Sequence, residues 1–307
     1  MGAVNKALVL NHITEAFRKE FSAGLALHES QWQQVAMEIP STTKTNTYGF
    51  LGKFPKMREW VGKRQIDSMN AQGTSITNKK YESTVGIPRE EIEDDQVGLY
   101  MPMMKLAGQS AAELPDDEVF GLLKKGKTTL CYDGQHFFDN DHPVYEKTDG
   151  TGSHTTQSNL TVGTDQDAPT FYILDTRLPI KPLIWQKRTA PEIEAKFDAS
   201  KSEHVFMEDE YLWGVRARGA AGFGFWQLIH RVEKTNLTAE NVKKVIQNME
   251  ALKGDGGKVL NIRPNLILVP TSLKYKAKEL FETKVVNGTS NILEGDLKVL
   301  VSPFINE

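Results

Sequence analysis

The stretch WVGKRQIDSMNAQGTSITNKKYESTVGI, residues 60–87, reads as two strand-like runs around NAQGT, whose Asn, Gln and Gly carry turn chemistry. In the second run Tyr81, Ser83, Val85 and Ile87 alternate onto one face. Most other side chains in both runs are polar or charged. A two-stranded hairpin with so little apolar surface cannot bury itself and is marginal alone. The pattern predicts a hairpin over about 60–88 that stands out from the body and is held by a neighbour.

The charges around this hairpin are segregated. From Lys53 to Arg89 the chain carries Lys53, Lys56, Arg58, Lys63, Arg64, Lys79, Lys80 and Arg89 against Glu59, Asp67 and Glu82. EEIEDD follows at once with Glu90, Glu91, Glu93, Asp94 and Asp95. A basic block abutting an acidic one suits self-complementary subunit contacts. Two solvated faces of one protein would carry the same charges, so charge alone leaves both readings open. With anchors Trp60 and Tyr81 added, these residues are the candidate intersubunit contacts.

Upstream, residues 5–38 are helix-prone, with Leu8, Ile13, Phe17 and Phe21 at roughly helical spacing until Gly24 and STTKTNTYG break the pattern. Downstream, Val97, Tyr100, Met104, Ala107, Ala111 and Leu114 step by three and four, an amphipathic stripe. Pro102 suits a first turn, and Pro115 opens a second helical piece ending at Gly126. PDDEVFGLLKKG sets acids at its start and lysines at its end, matching the helix dipole. The expectation is a long helix over 96–126, broken at Pro115.

Residues 146–168 read as a polar loop. Strand-like runs follow in TFYILDTRLPIKPLIWQKR, HVFMEDEYLWGVRAR and GFGFWQLIHRV. LTAENVKKVIQNMEALKG returns to helical period, with Thr238 as N-cap and Val242, Val245, Ile246, Met249 and Leu252 inward. NLILVP is a buried strand, TSLKYKAKELF a helix with Leu273, Ala277 and Leu280 aligned, and LKVLVSPF a closing strand. The whole is mixed α+β.

At 307 residues the chain can hold a sizeable core or two domains, and 39% hydrophobic residues is ordinary for a globular protein. No apolar run approaches the ~20 residues of a membrane helix. The N-terminal MGAVNKALVLNH lacks a small-residue cleavage site, which argues against a secretory signal. One Cys forbids an internal disulfide and a Cys-based zinc cage, fitting a reducing compartment. Net charge −3 argues against a general nucleic-acid binder.

The chemical candidates are weak. CYDGQHFFDNDHPVY, residues 131–145, gathers Cys131, His136, His142 and three Asp. Asp133-Gly134 signals a tight turn. If 135–142 continue as a strand, His136, Phe138, Asn140 and His142 share one face, with Phe137, Asp139 and Asp141 on the other. Pro143 pushes His142 toward extended backbone. A metal-dependent hydrolase using His136, Asp139, Asp141 and His142 is the rival function, but a spacing of six between the histidines matches no helical zinc motif. KGDGGK, residues 253–258, lacks the Ser or Thr and the strand-then-helix order of a phosphate loop. GAAGFGF fails as a dinucleotide fingerprint; its small residues invite close approach by another element, the long helix being the expected one. There is no G-x-S-x-G elbow, and Cys131 has no evident base.

Taken in order, STTKTNTYGFLGKFPKMREWVGKR, YESTVGIPREEIEDDQVGLY, LPDDEVFGLLKKG and CYDGQHFFDNDHPVY resemble the major head subunit of Mu-type tailed bacteriophages. KPLIWQKRTAPEIEAK, GAAGFGFWQLI and GDGGKVLNIRPNLILVP continue the resemblance to the C-terminus. It implies an α+β tailed-phage major capsid fold of the HK-ninety-seven type. The implied parts are an N-terminal arm at 1–45, an extended loop region at 46–92, a peripheral domain at 93–235 with its spine helix at 96–126, an axial domain at 236–295, and a returning strand at 296–307. It also implies a shell of hexamers and pentamers in the virion, built in the host cytoplasm around double-stranded DNA. A separate scaffold, a maturation protease and a portal protein are the implied partners, because family-like sequence begins within about thirty residues and leaves no room for an internal scaffold. No cofactor, catalytic residue or membrane contact is implied. A tail or tube protein is a weaker third reading.

Overall fold

The computed structural model describes residues 3–49, 74–94, 96–148, 150–198, 202–286 and 288–306. The chain opens with α1 (Ala3–Leu25), then β1 (Ala36–Pro40) and β2 (Thr45–Tyr48). β3 (Thr74–Thr77), β4 (Lys79–Pro88) and the short α2 (Arg89–Glu93) lead through a 3-10 turn into α3 (Met101–Lys124). β5 (His142–Tyr145), β6 (His154–Gln157), β7 (Leu160–Val162) and β8 (Phe171–Leu174) precede two long strands, β9 (Leu183–Lys196) and β10 (Glu210–Phe223), joined through α4 (Glu203–Glu208). β11 (Ile229–Glu233), α5 (Ala239–Glu250), β12 (Lys253–Gly254), β13 (Lys258–Val259) and β14 (Leu266–Val269) follow. α6 (Lys274–Phe281), β15 (Val285–Val286), β16 (Thr289–Ser290) and β17 (Lys298–Val301) end the chain.

Two main sheets result. One has the order β1-β9-β10-β4, the other β17-β14-β8-β11-β7. Strands from both sides of residue 236 share the second sheet, with β14 parallel to β17 and antiparallel to β8. Val119, Phe120 and Leu123 of α3 are wholly buried in a core shared by both sheets. A second core joins Leu10, Ile13 and Phe17 of α1 to Ile87, Val97, Met104, Val205, Tyr211 and Trp213. It closes the far end of the β9–β10 ribbon.

The run 74–88 does not behave as one arm of a free hairpin. It divides at the buried Asn78, whose amide donates to Ser41 Oγ (2.8 Å) and the Thr43 carbonyl (2.9 Å). β3 pairs with β2, Thr45 opposite Thr77, while β4 runs antiparallel to β10, from Glu210 opposite Pro88 to Gly219 opposite Lys79. The few apolar residues of β4 thus find a partner within the chain. The first run of the expected hairpin lies outside the described residues.

Several other expectations are corrected. α3 passes through Pro115 without a break. The lost N–H and ring clash of an interior proline, about 3 kcal/mol, are offset by the tertiary anchors flanking it, Asp116 and the Val119–Leu123 face. The helix-prone reading of the N-terminal segment is met by α1, which docks on α3: a Cβ on Gly24 would collide with the Lys105 carbonyl, and one on Gly108 with the Phe21 carbonyl. Residues 154–157 and 160–162 form strands within the expected loop, and HVFME is helix α4 because Val205 turns into the second core while its neighbours stay out. In GAAGFGF, Gly219 makes room for the Trp185 ring of β9 and Gly222 for Ile76 of β3, while the long helix α3 also packs against β10 as expected. The α5 reading holds: Thr238 Oγ1 accepts the Asn241 N–H at 3.3 Å, with Val242, Val245 and Met249 buried. KGDGGK is a turn with Gly256 and Gly257 at φ 73° and 70°.

Candidate functional site

In the 131–145 segment the turn falls where Asp133-Gly134 predicts, with Gly134 at φ 86° and its N–H donating to the Cys131 carbonyl at 3.2 Å. The strand expected from 135 is absent until His142, because alternation is broken by two adjacent core anchors. Phe137 and Phe138 are both buried, the first stacked on Phe223 at 4.0 Å, the second tilted on Tyr172 at 5.7 Å. Neither phenylalanine could reach solvent without emptying a core site, so the backbone between them twists.

His142 is fully buried. Its Nδ1 meets Asp133 Oδ2 at 2.6 Å and its Nε2 meets Asn159 Oδ1 at 3.3 Å. The ring stacks on Trp226 at 3.9 Å and 9°. Asn159 donates to the carbonyls of Phe137 (2.8 Å) and Trp226 (3.3 Å), so its oxygen is the atom left to face His142 and the Asp139 N–H. Both imidazole nitrogens are thereby occupied by fixed partners. His136 points elsewhere, 46% exposed and 3.5 Å from Asp139, and Asp141 is exposed. Each histidine meets a different carboxylate, and the four residues of the hydrolase reading do not converge on a point. Among the described residues no group of three or more His, Cys, Asp and Glu side chains is placed to hold a metal ion. Burial first, and then Asp133, pushes the Cys131 thiol up, away from the thiolate a nucleophile needs. The segment is a clamp, tying the end of α3 to β5, Asn159 and the 226 turn.

The candidate contact residues separate into two groups. Lys79 pairs with Glu118 of α3 at 2.6 Å, with its side chain still 53% exposed, and Lys80 is exposed. Tyr81 is half-buried; burial and then the neighbouring Glu118 carboxylate push its hydroxyl up. At the other end of β4, Glu90, Glu93 and Asp94 are exposed and Glu91 accepts from the Tyr100 hydroxyl at 2.6 Å. From Lys80 to Pro88 is eight strand steps, roughly 27 Å, so one subunit cannot bring its own basic and acidic ends together. Trp60, Lys63, Arg64 and Asp95 lie outside the described residues.

Sequence reading missed the buried polar groups that hold these surfaces in place. Asp116, fully buried on α3, accepts the N–H of Gln31 (3.0 Å) and Trp32 (2.6 Å) and meets His28 Nε2 at 2.5 Å. It caps the turn that leads α1 into β1. Arg231 and Glu233, buried on β11, pair at 2.9 Å; Lys127 adds a second contact to Glu233 at 2.6 Å, and Tyr172 accepts from Arg231 at 2.7 Å. Burial works to raise the Glu233 carboxyl, but Lys127 and Arg231 outweigh it and hold the group low. The only hint of these roles in the sequence is a charged residue interrupting an inward stripe.

An α+β body of two sheets spanned by one long helix, with an extended ribbon, is the tailed-phage major capsid fold. The procapsid protein of bacteriophage JBD30 superposes with TM-score 0.84 and 47% identity, covering 99% of both chains. The JBD30 capsid structure gives TM-score 0.77 and 36% identity over 91% of this chain and 92% of that one. The chain belongs to the Mu-like prophage major head subunit gpT family, whose sequence profile matches residues 10–305. The major capsid protein of Escherichia phage Mu is 45% identical over 94% of this chain and 96% of its own length. The FluMu prophage major head subunit of Haemophilus influenzae is 44% identical over 88% of this chain and 87% of its own. This chain is therefore a major capsid subunit of a Mu-like phage head.

Proposed function

We propose that the subunit closes into hexamers and pentamers of an icosahedral shell around double-stranded DNA, resident in the virion and assembled in the host cytoplasm. The observation that carries this reading is the end-to-end match to chains solved within assembled heads. The division proposed is an arm at 1–45, an extended loop region at 46–92, a peripheral part at 93–235, an axial part at 236–295 that shares its sheet with β7, β8 and β11, and a returning strand at 296–307. A separate scaffold, a maturation protease and a portal protein complete the proposed partners. The function is geometric, without turnover of a substrate: many modest contacts add to a closed shell. A mildly acidic wall suits a DNA container, since tight binding to phosphates would hinder packaging and ejection. Among the described residues no helix is long and apolar enough to cross a membrane.

Within this reading the basic end of the loop region, including Lys63, Arg64, Lys79 and Lys80, docks on the Glu90–Asp95 acids of a neighbour. Exposed pairs contribute only ~0–1 kcal/mol each, so charge sets register, and anchors such as Trp60 and Tyr81 carry affinity. Electron microscopy of the expressed protein, with and without its scaffold, tests the reading. Closed shells are the expected outcome. Stacked tubes, or a compact monomer at high concentration under both conditions, would overturn it.

A further inference from the structure

A groove opens where α3, the α1–β1 connection and the β9–β10 sheet meet. Trp32, Leu114, Pro115, Trp185 and Pro191 form its apolar walls. Its volume is about 200 Å³, and a cavity of about 150 Å³ already accepts a benzene ring. Arg218, Lys187 and Glu38 line it, Lys187 already pairing with Glu38 at 3.4 Å, while the buried Arg218 Nε has no hydrogen-bond partner among the described residues. Lys80 stands beside Arg218 in the β4–β10 register. The groove therefore asks for a large apolar side chain accompanied by oxygen acceptors.

This chain carries such a group at the other end of the ribbon. Phe206 and Met207 on α4 are 73% and 67% exposed, although Val205 between the same helix ends is buried. Glu203 and Glu208 flank them. The C-terminal end of α4 is anchored, since the Arg89 N–H donates to the Asp209 carbonyl at 3.0 Å and the Arg89 guanidinium pairs with the Asp209 carboxylate at 2.8 Å. The same contacts set α2, with the exposed Glu90, Glu93 and Asp94, beside the residue that follows α4. From Glu210 to Arg218 is eight strand steps, roughly 27 Å, so α4 cannot reach the groove of its own subunit.

We propose that Phe206 and Met207 of one subunit seat in the Trp32–Pro115–Trp185 groove of a second copy, with Glu203 and Glu208 facing Arg218 and Lys187. This rests on the capsid reading and specifies its interface. Donor and acceptor are different patches, so the contact is heterologous and propagates around a ring. An aromatic anchor in a preformed pocket supplies the affinity, and the charges set the register.

A bismaleimide cross-linker applied to assembled shells of a Cys131→Ala, Ala112→Cys, Met207→Cys variant tests it. A ladder of covalent oligomers is expected, absent when either new cysteine is omitted. In parallel, Phe206→Glu lowers the fraction of subunit in shells at least tenfold with an unchanged circular dichroism spectrum and melting temperature. Glu203→Lys with Glu208→Lys does the same, and adding Arg218→Glu with Lys187→Glu restores shells. Shells without a ladder, a cross-link confined to the monomer, or normal assembly of Phe206→Glu overturn the proposal and leave the capsid reading standing. Assembly lost on Ala112→Trp but indifferent to Phe206→Glu assigns the groove to residues 50–73 or to another protein and also overturns it. Failure of the unaltered chain to form shells both with and without its scaffold overturns the shell-assembly reading itself.

Discussion

His230 lies on β11 with 2% exposure, its Nε2 2.8 Å from Thr161 Oγ1 and its buried Nδ1 without a hydrogen-bond partner among the described residues. Burial lowers its pKa from 6.5 to about 4. The folded chain therefore holds this ring neutral at a pH where the unfolded chain protonates it. Between pH 6.5 and 4 the unfolded state binds more protons, so stability falls with falling pH across that window and is level above it. From pH 7 to pH 5 the loss from this residue is about 2 kcal/mol. Glu233 does not blur the measurement, because its depressed carboxyl contributes above its unfolded pKa near 4.5 and is lost only below it. Urea denaturation of unassembled subunit at the two pH values checks this. His230→Gln should flatten the slope, and an unchanged slope would assign acid sensitivity elsewhere.

At the scale of elements, α3 carries its own control. Gly108 meets the Phe21 carbonyl where α1 crosses it, whereas a Cβ at Gly121 has nothing within 4 Å. Gly121→Ala should stabilise by about 0.5–1 kcal/mol through helix propensity. Gly108→Ala gains the same propensity but forces two backbones apart, so a net loss of about 1–3 kcal/mol is expected; melting temperatures moving in opposite directions would confirm the crossing. Elements whose residues need only their own neighbours were legible in the sequence. α5 shows its cap at Thr238 and its stripe, and the turn at Asp133-Gly134 shows its chemistry. What escaped depends on distant partners. Pro115 signalled a break that Asp116, capping residues 31 and 32, helps override. HVFME reads as the start of a strand-like run, but Val205 is drawn into a core shared with α1 and the segment coils into a helix. β4 looked partnerless because β10 lies more than a hundred residues on. Of the candidate contacts, charge segregation was visible in sequence, but the α2–α4 surface and the Arg218 groove needed the β4–β10 register to assemble them.

For the whole molecule that register turns local composition into polarity. β4 and β10 run antiparallel, so Lys80 and Arg218 fall together at one end, while Pro88 and Glu210 bring α2 and α4 together at the other. One end is basic and grooved, the other acidic and tipped by apolar side chains. A body with opposite, complementary ends associates head to tail, and whether it closes depends on the angle between copies. Reversing Lys79 and Lys80 to Glu tests the electrostatic half of this polarity. Lys79 would lose its exposed pair with Glu118, worth ~0–1 kcal/mol, so the subunit should remain folded by circular dichroism. The fraction sedimenting as shells should fall at least tenfold. It should recover when Glu90 and Asp94 are also made Lys. Because both partners are exposed, the wild-type yield should decline between low and high salt as screening shortens toward ~3 Å at 1 M. Normal shells from the double reversal would mean that apolar contacts alone set the register.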